Sequence, residues 1–576
     1  MLKNNKNKVH SFDRLKFVTV VFFIGLFIIS AQLFQIEVLQ HKYYDAQATG
    51  QHAIYKKLTP NRGEIYAIDK DGNLHPIAIN RQTNFVVAVP KEIENKKETA
   101  QQLASVLDLP EEEILQKISK ENDPFEPLKR KVSDETVAAL EQLKIKGIEI
   151  IVSNGRYYPE KEVFAHLTGY LSTKKEPAVG QYGLEEFFEK DLAGKPGSLI
   201  GEKDRQGKLI VLGSTELIAA EDGSNLILTV DYPVQFKAYE LIKQAVEKHG
   251  AGYGDIVVLD PKSGAIKALA EYPSFDPNDY GKVEDIKVFS NKSVSQAYEP
   301  GSVFKVITMA GGLELNLVSP DTTYNDEGFI KFGKYTIKNA NDQIYGLQNM
   351  TQVLENSINT GAIFVALKMG SLPFKENAEK FGFGSKIGLM LPAEAKGDLS
   401  ILEKKGEIYT ATASYGQGIM ATVLQVAQSF GVIANRGMMT KPYLVSELRS
   451  AKGKATSLIP SSSHEQVISE KTASLLTAMM ISVVKNGHST NAQVPGYYIA
   501  GKTGTAEIAY TDRAGYSAET NHTFAGFAPA ENPEFVIVVR LYKPTKGRFA
   551  DTTCSPTFAE MAKFLLQYYQ VPKEYE

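Results

Sequence analysis

Residues 298–313 read YEPGSVFKVITMAGGL, a turn followed at once by the start of a helix. The first four residues bring proline and glycine together and predict the turn, and the apolar run 303–313 predicts the helix. Ser302 then lies in the first helical turn, where backbone N–H groups are unsatisfied and the helix dipole favours negative charge. Lys305 lies three residues further on, so its amine shares a helix face with the Ser302 hydroxyl. A serine beside a basic amine is a candidate nucleophile.

The Ser-x-x-Lys pattern is weak by itself, because in this chain it begins at Ser172 and Ser482 as well as at Ser302. An isolated match usually means an N-capping serine followed by a surface lysine. The copy at Ser302 differs because two further short motifs follow it along the chain, and the combination is specific. No Ser-His-Asp arrangement is evident, so Lys305 is the candidate base.

The second motif is SIN at 357–359, between a helical segment at 352–356 and an apolar helix at 362–369. Ser357 and Asn359 are two residues apart on a short connection and can face the same cleft. A hydroxyl can relay a proton, and an amide can hold a substrate carbonyl or orient a lysine. The alternative is ordinary turn and capping chemistry, which serine and asparagine also favour.

The third motif is KTGT at 502–505, which follows YYIAG at 497–501. The pattern predicts a strand with small residues where another backbone approaches closely, and an extended substrate can add beside such an edge. Lys502 is then expected to supply positive charge, and the hydroxyls of Thr503 and Thr505 to bind a carboxylate. The alternative is a solvated strand end. A phosphate loop is excluded because the first glycine and the helix start are misplaced.

The composition of the 576-residue chain is that of a globular protein, and its length predicts at least two folded domains. The formal net charge of -3 argues against nucleic acid as the main partner. Cys554 is the sole cysteine, which excludes an intrachain disulfide and a cysteine-based metal site. The nine histidines show no ligand spacing, so neither a metal nor a cofactor is expected.

The N-terminal region departs from this globular pattern. Residues 17–36 carry no charge and reach the ~20 residues that a membrane-spanning helix needs. Basic residues precede the run and acidic residues follow it, so the positive-inside rule keeps 1–16 in the cytoplasm and places everything after residue 37 outside. The alternative is a signal peptide cleaved near the Ala-x-Ala pattern at 46–48, but that pattern lies well past an apolar run that is long for a signal.

The rest of the chain predicts two modules of mixed α+β structure. The first, 57–215, has short strands near 64–68 and 84–89 and helical spacing over 91–145. The second predicts, in order, a strand at 225–230, a helix at 232–249, a hairpin of 255–260 and 265–271, a helical middle, strands at 522–528 and 535–542, and a last helix from about 556 to 569. This order indicates an antiparallel sheet flanked by terminal helices.

Beyond the three motifs, other stretches resemble the class B penicillin-binding proteins, the monofunctional peptidoglycan transpeptidases. These stretches are RGEI at 62–65, RYYP at 156–159, HLTGY at 166–170, GLE at 183–185, YEPGS at 298–302, GQG at 416–418 and FAGFAP at 524–529. The resemblance covers nearly the whole chain, shows no glycosyltransferase domain and no C-terminal repeat modules, and looks closest to the septal, cell-division branch.

The resemblance implies an α+β architecture with a transmembrane helix at 17–36 and an elongated pedestal, of the dimerisation type, at 37–215. A penicillin-binding transpeptidase domain then occupies 222–570. Its expected core is a five-stranded antiparallel sheet flanked by helices, as in the serine β-lactamases.

The resemblance also implies the chemical role of each motif residue. Ser302 attacks the D-Ala-D-Ala carbonyl of a stem peptide, and Lys305 accepts its proton. The backbone N–H groups of Ser302 and Thr505 form the oxyanion hole. Ser357, with Lys502, passes a proton to the leaving D-alanine.

Substrate binding follows from the same resemblance. Asn359 positions the substrate, and Thr503, Gly504 and Thr505 bind it, with the two threonines on its terminal carboxylate. An amine from a neighbouring strand then attacks the acyl-enzyme and forms the cross-link, whereas a β-lactam acylates Ser302 and is released slowly. The expected partners are stem peptides, β-lactams, the membrane, a membrane glycan polymerase and proteins of division or elongation.

Two other interpretations stay open. A D-Ala-D-Ala carboxypeptidase or a β-lactamase uses water in place of the amine, although the anchor and the pedestal argue against a β-lactamase. A membrane-anchored division scaffold or a β-lactam sensor keeps the domain for binding alone, and the complete set of motif residues argues against an inactive scaffold.

Overall fold

A computed structural model of the protein describes residues 14–44, 53–120, 123, 125–173, 177–202, 216–461, 465–510, 512–513 and 515–576. The chain divides into two compact units, one of Met1–Pro60 with Lys195–Glu221 and one of Asn61–Gly194 with Asp222–Glu576. The domain boundaries expected from the sequence, 37–215 and 222–570, stay predictions.

The described strands are numbered in chain order. They are β1 (Ala53–Leu58), β2 (Ile65–Ile68), β3 (Leu74–Ala88), β4 (Glu126–Val132), β5 (Ile148–Tyr157), β6 (Tyr170–Ser172), β7 (Val179–Gln181), β8 (Gly197–Glu202), β9 (Glu216–Ile218), β10 (Asn225–Asp231), β11 (Tyr253–Leu259), β12 (Ile266–Tyr272), β13 (Thr323–Asp326), β14 (Phe329–Phe332), β15 (Tyr335–Lys338), β16 (Gly346–Asn349), β17 (Met438–Met439), β18 (Val445–Arg449), β19 (Ala455–Ser457), β20 (Glu465–Gln466), β21 (Ala500–Ala509), β22 (Tyr516–Ala528) and β23 (Phe535–Tyr542).

The α-helices are numbered in the same way. They are α1 (Arg14–Phe34), α2 (Lys96–Leu107), α3 (Glu111–Ile118), α4 (Asp134–Leu143), α5 (Ala165–Thr168), α6 (Gly183–Phe187), α7 (Glu189–Leu192), α8 (Tyr232–His249), α9 (Lys292–Ser295), α10 (Lys305–Glu314), α11 (Met350–Glu355), α12 (Asn359–Met369), α13 (Ser371–Lys380), α14 (Glu407–Ala413), α15 (Val423–Ala434), α16 (Glu470–Asn486) and α17 (Ala550–Tyr568). Short 3-10 helices occur at Pro90–Glu92, Lys161–Val163, Pro277–Lys282, Ile286–Phe289, Gly301–Phe304, Ala340–Asp342, Ser400–Glu403 and Thr490–Ala492.

The smaller unit contains the apolar N-terminal helix and a three-stranded antiparallel sheet of order β1-β8-β9. Helix α1 continues into a π-helical turn at Gln35–Leu39, and none of their side chains is buried. The 26 residues Arg14–Leu39 are long and apolar enough to cross a membrane, which is compatible with a single-pass anchor. The helix begins before the expected residue 17 because arginine and lysine are good helix formers. Most of the predicted tail, and the Ala-x-Ala pattern at 46–48, lie outside the described residues.

In the larger unit, five antiparallel strands form a sheet of order β12-β11-β23-β22-β21. Alternate residues of β11 face opposite sides, with Ile256 and Val258 packed among residues of α8 and α17. Val257 and Leu259 face the other side, where every residue of α15 is buried. The predicted sheet flanked by terminal helices is thereby confirmed, and β21 lies at its open edge.

A second, mixed sheet of order β19-β18-β10-β2-β3-β4, with β5 added on β3, lies in the same unit. Strand β10 pairs in parallel with β2 and antiparallel with β18. Three strands distant in the sequence therefore lie side by side, so the segment 61–194 shares a continuous sheet with the region that follows residue 222.

Residues of the quoted pedestal stretches meet in one buried ion-pair cluster. Glu185 is fully buried and accepts hydrogen bonds from Arg62 Nε at 2.7 Å, Arg156 Nε at 2.6 Å and the Tyr158 hydroxyl at 3.1 Å. The two arginines keep the pKa of Glu185 below its usual value although burial alone raises it. Three short sequence stretches thus form one structural centre.

The predicted helical region 91–145 is partly wrong, because β4 interrupts it between α3 and α4. The strand sequence EPLKRKV has proline and many charges, which disfavour a strand. Pairing with β3 stabilises it, and Leu128 and Val132 are buried against that sheet. Tertiary contacts therefore decide this element against its local propensity.

Candidate active site

Ser302 lies on a tight 3-10 turn, Gly301–Phe304, that leads directly into α10. Gly301 has a φ of +59°, and its N–H donates to the Gly416 carbonyl at 3.2 Å. A Cβ on Gly416 would lie 2.2 Å from the Gly301 oxygen, so only glycine allows this approach. The turn is therefore fixed by a second glycine-containing loop, and it leaves Ser302 half-buried. Within the described part of the chain, no hydrogen bond forms at the Ser302 hydroxyl.

Lys305 is 1% exposed and projects from the first turn of α10. Its Nζ donates to Asn359 Oδ1 at 2.7 Å, to the Ser357 carbonyl at 2.5 Å and to Ser357 Oγ at 3.3 Å. Burial, and then the charge of Lys502, hold the pKa of Lys305 well below its ordinary value. This environment favours the neutral amine, which is the form that a general base needs.

Ser357 occupies the connection between α11 and α12 and has a φ of +53°. This left-handed conformation is uncommon for a residue other than glycine and is found at functional sites. Asn359 is the first residue of α12, and its Nδ2 donates to the Lys338 carbonyl at 2.9 Å. The strained turn thus presents the carbonyl and hydroxyl of Ser357, together with the amide of Asn359, to a single lysine.

Lys502 is fully buried on β21, and its Nζ donates to Ser357 Oγ at 3.0 Å and to the Thr503 carbonyl at 3.1 Å. Desolvation lowers the pKa of Lys502 to about 7. The Ser357 hydroxyl therefore lies between two buried amines, those of Lys305 and Lys502, and can pass a proton from one side to the other. A pKa near neutrality lets the Lys502 amine both give and take a proton at neutral pH, and the positive charge expected of Lys502 stays a prediction.

The KTGT strand forms the wall of the cleft beside Ser302. A Cβ on Gly504 would lie 2.8 Å from the Pro300 carbonyl, so a side chain there would push β21 away from the Ser302 turn. Thr503 is 8% exposed, and its Oγ1 lies 3.4 Å from Ser489 Oγ. Thr505 Oγ1 accepts a hydrogen bond from the backbone N–H of Ala550 at 3.1 Å, which attaches the strand to the start of α17.

A buried polar network behind Asn359 was not foreseen from the sequence. Asp326 is 2% exposed and accepts hydrogen bonds from Thr360 Oγ1 at 2.5 Å, Asn339 Nδ2 at 2.9 Å and the Tyr345 N–H at 2.8 Å. Asn339 Oδ1 accepts in turn from the Thr360 N–H at 3.1 Å. The network joins the hairpin region 323–349 to the first turn of α12, and so fixes the helix end that carries Asn359. No local sequence pattern marks Asp326.

The structure brings Lys305, Ser357, Asn359 and Lys502 into one hydrogen-bonded cluster beside Ser302, as the order of the three motifs predicted. Residues 254–562 match the family described as penicillin binding protein transpeptidase domain, and residues 57–228 match the penicillin-binding protein dimerisation domain. The chain therefore belongs to the class B penicillin-binding proteins, and the resemblance stated from its motifs is confirmed.

Individual relatives agree with this assignment. Stage V sporulation protein D of Bacillus subtilis (strain 168) is 31% identical over 94% of this chain and 84% of its own length. The peptidoglycan D,D-transpeptidase FtsI homolog of Mesostigma viride is 30% identical over 99% of this chain and 98% of its own. The crystal structure of penicillin binding protein 3 from Mycobacterium tuberculosis, complexed with aztreonam, superposes with a TM-score of 0.69 at 26% identity and covers 90% of this chain and 98% of that chain.

Proposed function

We propose that this protein is a peptidoglycan D,D-transpeptidase that cross-links stem peptides through an acyl-enzyme on Ser302 and that β-lactams inhibit covalently. The observation that carries the proposal is the Ser357 hydroxyl held between Lys305 Nζ at 3.3 Å and Lys502 Nζ at 3.0 Å, beside a serine at a helix start. A nucleophile, a neutral base and a proton relay are the parts that acyl transfer needs.

Acylation starts when the Ser302 oxygen attacks the carbonyl between the two D-alanines. Lys305 takes the hydroxyl proton, since its lowered pKa favours the neutral form that can accept it and its α10 position places it on the Ser302 side of the helix. The backbone N–H groups of Ser302 and Thr505 hold the negative oxygen of the tetrahedral intermediate. The contact between Ser302 and Lys305 tightens when substrate binds, as is common for catalytic hydrogen bonds.

The leaving D-alanine nitrogen must gain a proton as the C–N bond breaks. Ser357 donates its hydroxyl proton to that nitrogen and regains one from Lys502, whose amine lies 3.0 Å away. A pKa of about 7 suits Lys502 to this exchange, because its two protonation states are then close in free energy at neutral pH. Asn359 holds Lys305 on one side and the substrate on the other.

The donor peptide lies along the free edge of β21. Gly504 lets β21 lie close to the Ser302 turn and so keeps the bound donor beside the nucleophile, and the hydroxyls of Thr503 and Thr505 bind its terminal carboxylate. After D-alanine leaves, the amine of a neighbouring stem peptide attacks the acyl-enzyme carbonyl, and its nitrogen loses a proton through Ser357 to the now neutral Lys502. Lys305 returns its proton to the Ser302 oxygen as the ester bond breaks, which restores the free enzyme. Water in the same position gives a carboxypeptidase or a β-lactamase, which is the second candidate function within enzymes.

The apolar helix α1 anchors the protein with its N-terminus in the cytoplasm and the catalytic unit outside the membrane. A membrane glycan polymerase and proteins of division or elongation are the proposed partners, because cross-linking must follow the synthesis of new strands. The septal branch is the proposed role within the family.

The proposed acyl-enzyme is tested by intact-mass and gel analysis of the protein with a fluorescent penicillin over time. We expect a stable adduct of one probe on Ser302, and Ser302→Ala should abolish it. Ser482→Ala is the matched control, because Ser482 heads another Ser-x-x-Lys pattern but its hydroxyl donates to Glu355 on α11. This control should label as the wild type does.

Other outcomes point to the other interpretations. Transient labelling with release of the opened β-lactam indicates a hydrolase. Stable labelling without cross-linking of stem peptides indicates a β-lactam sensor. Growth supported by Ser302→Ala in a strain that depends on this protein indicates a scaffold.

A further inference from the structure

The described side chains assigned so far to the donor's terminal carboxylate, those of Thr503 and Thr505, carry no positive charge. The hydroxyls of Thr503 and Thr505 are neutral, and Thr505 Oγ1 already accepts a hydrogen bond from the Ala550 N–H. Lys502 is buried, and its amine is directed to Ser357. A carboxylate leaving water for this cleft gains most from a charged, bidentate donor.

Arg548 lies where such a donor is needed. It is exposed on the connection between β23 and α17, two residues before Ala550, whose N–H contacts Thr505. Its Nη2 donates to Asn341 Oδ1 at 2.8 Å, and its guanidinium lies 5.1 Å from the Phe549 ring centre. No acidic partner of Arg548 occurs among the residues that the structure describes.

Asn341 belongs to the opposite wall of the cleft. It lies on the 3-10 turn Ala340–Asp342, which follows the Lys338 carbonyl that accepts from Asn359. Asn341 has a φ of +57°, a left-handed turn conformation that asparagine tolerates well. The Arg548 side chain therefore links the segment that contacts Thr505 to the turn that lies beside Asn359.

We propose that the Arg548 guanidinium binds the terminal carboxylate of the donor stem peptide and exchanges Asn341 for that carboxylate when the donor fills the cleft. The inference rests on the proposed function and adds a specificity-determining residue to it. A neutral amide oxygen is the weaker acceptor, so the carboxylate displaces it. Arg548 then favours donors with a free C-terminal carboxylate over amidated or esterified ones.

The test compares the full-length protein in detergent with a fluorescent penicillin and with the methyl ester of the same probe. The ratio of the two second-order acylation rates measures the preference for a free carboxylate. We expect Arg548→Gln to lower this ratio by about tenfold or more while the rate with the ester stays unchanged, since a charged hydrogen bond is lost only with the acid. Arg548→Lys should keep part of the preference.

Two further variants separate this role from a structural one. Lys546→Gln removes a positive charge from the same connection, where the backbone N–H and carbonyl of Lys546 contact His249, and should leave the ratio unchanged. Asn341→Ala releases Arg548 and should leave the rate with the acid unchanged or faster. If Arg548→Gln slows acylation equally with the acid and the ester, Arg548 only joins the two walls of the cleft and the proposal is overturned. The same holds if Asn341→Ala slows acylation as much as Arg548→Gln does.

The outcome for the wild type separates this inference from the proposed function. A wild type that forms no adduct with either probe overturns both. A wild type that is acylated on Ser302, with an Arg548→Gln variant that keeps the full preference for the acid, overturns the role of Arg548 alone.

Discussion

Replacing Lys502 with methionine should abolish the transfer reaction and make the fold less dependent on pH. Lys502 is fully buried, and its ordinary pKa of 10.5 falls to about 7 because burial disfavours the ammonium form. Methionine has a similar length and no charge, so it removes the titration and preserves most of the packing.

The pKa values give the size and the sign of the effect. Between about pH 7 and pH 10.5 the unfolded chain binds the Lys502 proton and the folded chain does not, so the free energy of unfolding rises with pH in this interval. Near pH 7 the buried lysine costs about 4 kcal/mol, at about 1.4 kcal/mol for each pKa unit. Near pH 9 about 2 kcal/mol of that cost is relieved. Lys305 adds to this difference between the variant and the wild type. The Lys502 charge contributes to the lowered pKa of Lys305, and the methionine variant removes that charge.

The assay is urea unfolding of the full chain in detergent, followed by circular dichroism because the chain has no tryptophan. Between about pH 7 and about pH 9, the free energy of unfolding of the wild type should rise by about 2 kcal/mol relative to that of Lys502→Met. The variant also loses the hydrogen bonds of Lys502 to Ser357 and Thr503. This loss lowers its free energy of unfolding equally at the two pH values, so it cancels in the comparison.

A matched control is Lys485→Met, at an exposed position on α16, and its difference from wild type should stay constant over the same range. A constant difference for Lys502→Met as well would refute the reasoning, since it would show that the Lys502 amine keeps its proton in the folded state.

Three further predictions concern the supports of the site. Asp326→Ala removes an acceptor shared by four donors, three of them on buried residues, so it should lower the free energy of unfolding by about 3 kcal/mol and slow penicillin acylation; thermal unfolding and labelling of the same sample check both. Glu185→Ala leaves the buried Arg156 unpaired and Arg62 with Glu189 as its remaining carboxylate, so it should cost about 3–5 kcal/mol, whereas a melting curve like that of wild type would contradict the role of this cluster. Gly416→Ala places a Cβ 2.2 Å from the Gly301 oxygen, and a shifted Ser302 turn should slow acylation by about 100-fold; a normal acylation rate would show that the turn is set by other contacts.

The sequence predicts an element well where its own residues carry the start and stop signals. Helix α8 was expected at 232–249 and is found there. Asp231 caps its start by accepting from the Val234 N–H, Pro233 lies in the first turn, and Gly250 ends it with a φ of +60°. The signals are local, so no knowledge of the remaining fold is needed.

Elements that depend on distant partners were missed. Strand β4 exists through its pairing with β3, and the hairpins between 323 and 349 depend on the Asp326 network. Helix α17 begins at Ala550, before the expected Pro556, because the turns ahead of that proline pack against the β21–β22 region, with Thr553 and Cys554 fully buried. Proline is common in the first turn of a helix, but Pro556 lies inside α17.

The candidate site divides in the same way. The order of the three motifs predicted which side chains meet, and the lysines do converge on Ser357. The sequence could not give the left-handed backbone of Ser357 or the depth at which Lys502 is buried. Both arise from packing of the helices and β21 around the cleft. It also gave no sign of the contact between Arg548 and Asn341, which joins segments about 200 residues apart on opposite walls.

The most direct test of the central claim is the fate of the acyl-enzyme formed from a natural donor. The full-length protein is given a stem peptide ending in D-Ala-D-Ala together with an acceptor amine, and mass spectrometry measures released D-alanine, cross-linked product and hydrolysed donor. We predict that the cross-linked product predominates and that Ser302→Ala releases no D-alanine. Release of D-alanine with hydrolysed donor alone would contradict the account and make the protein a carboxypeptidase.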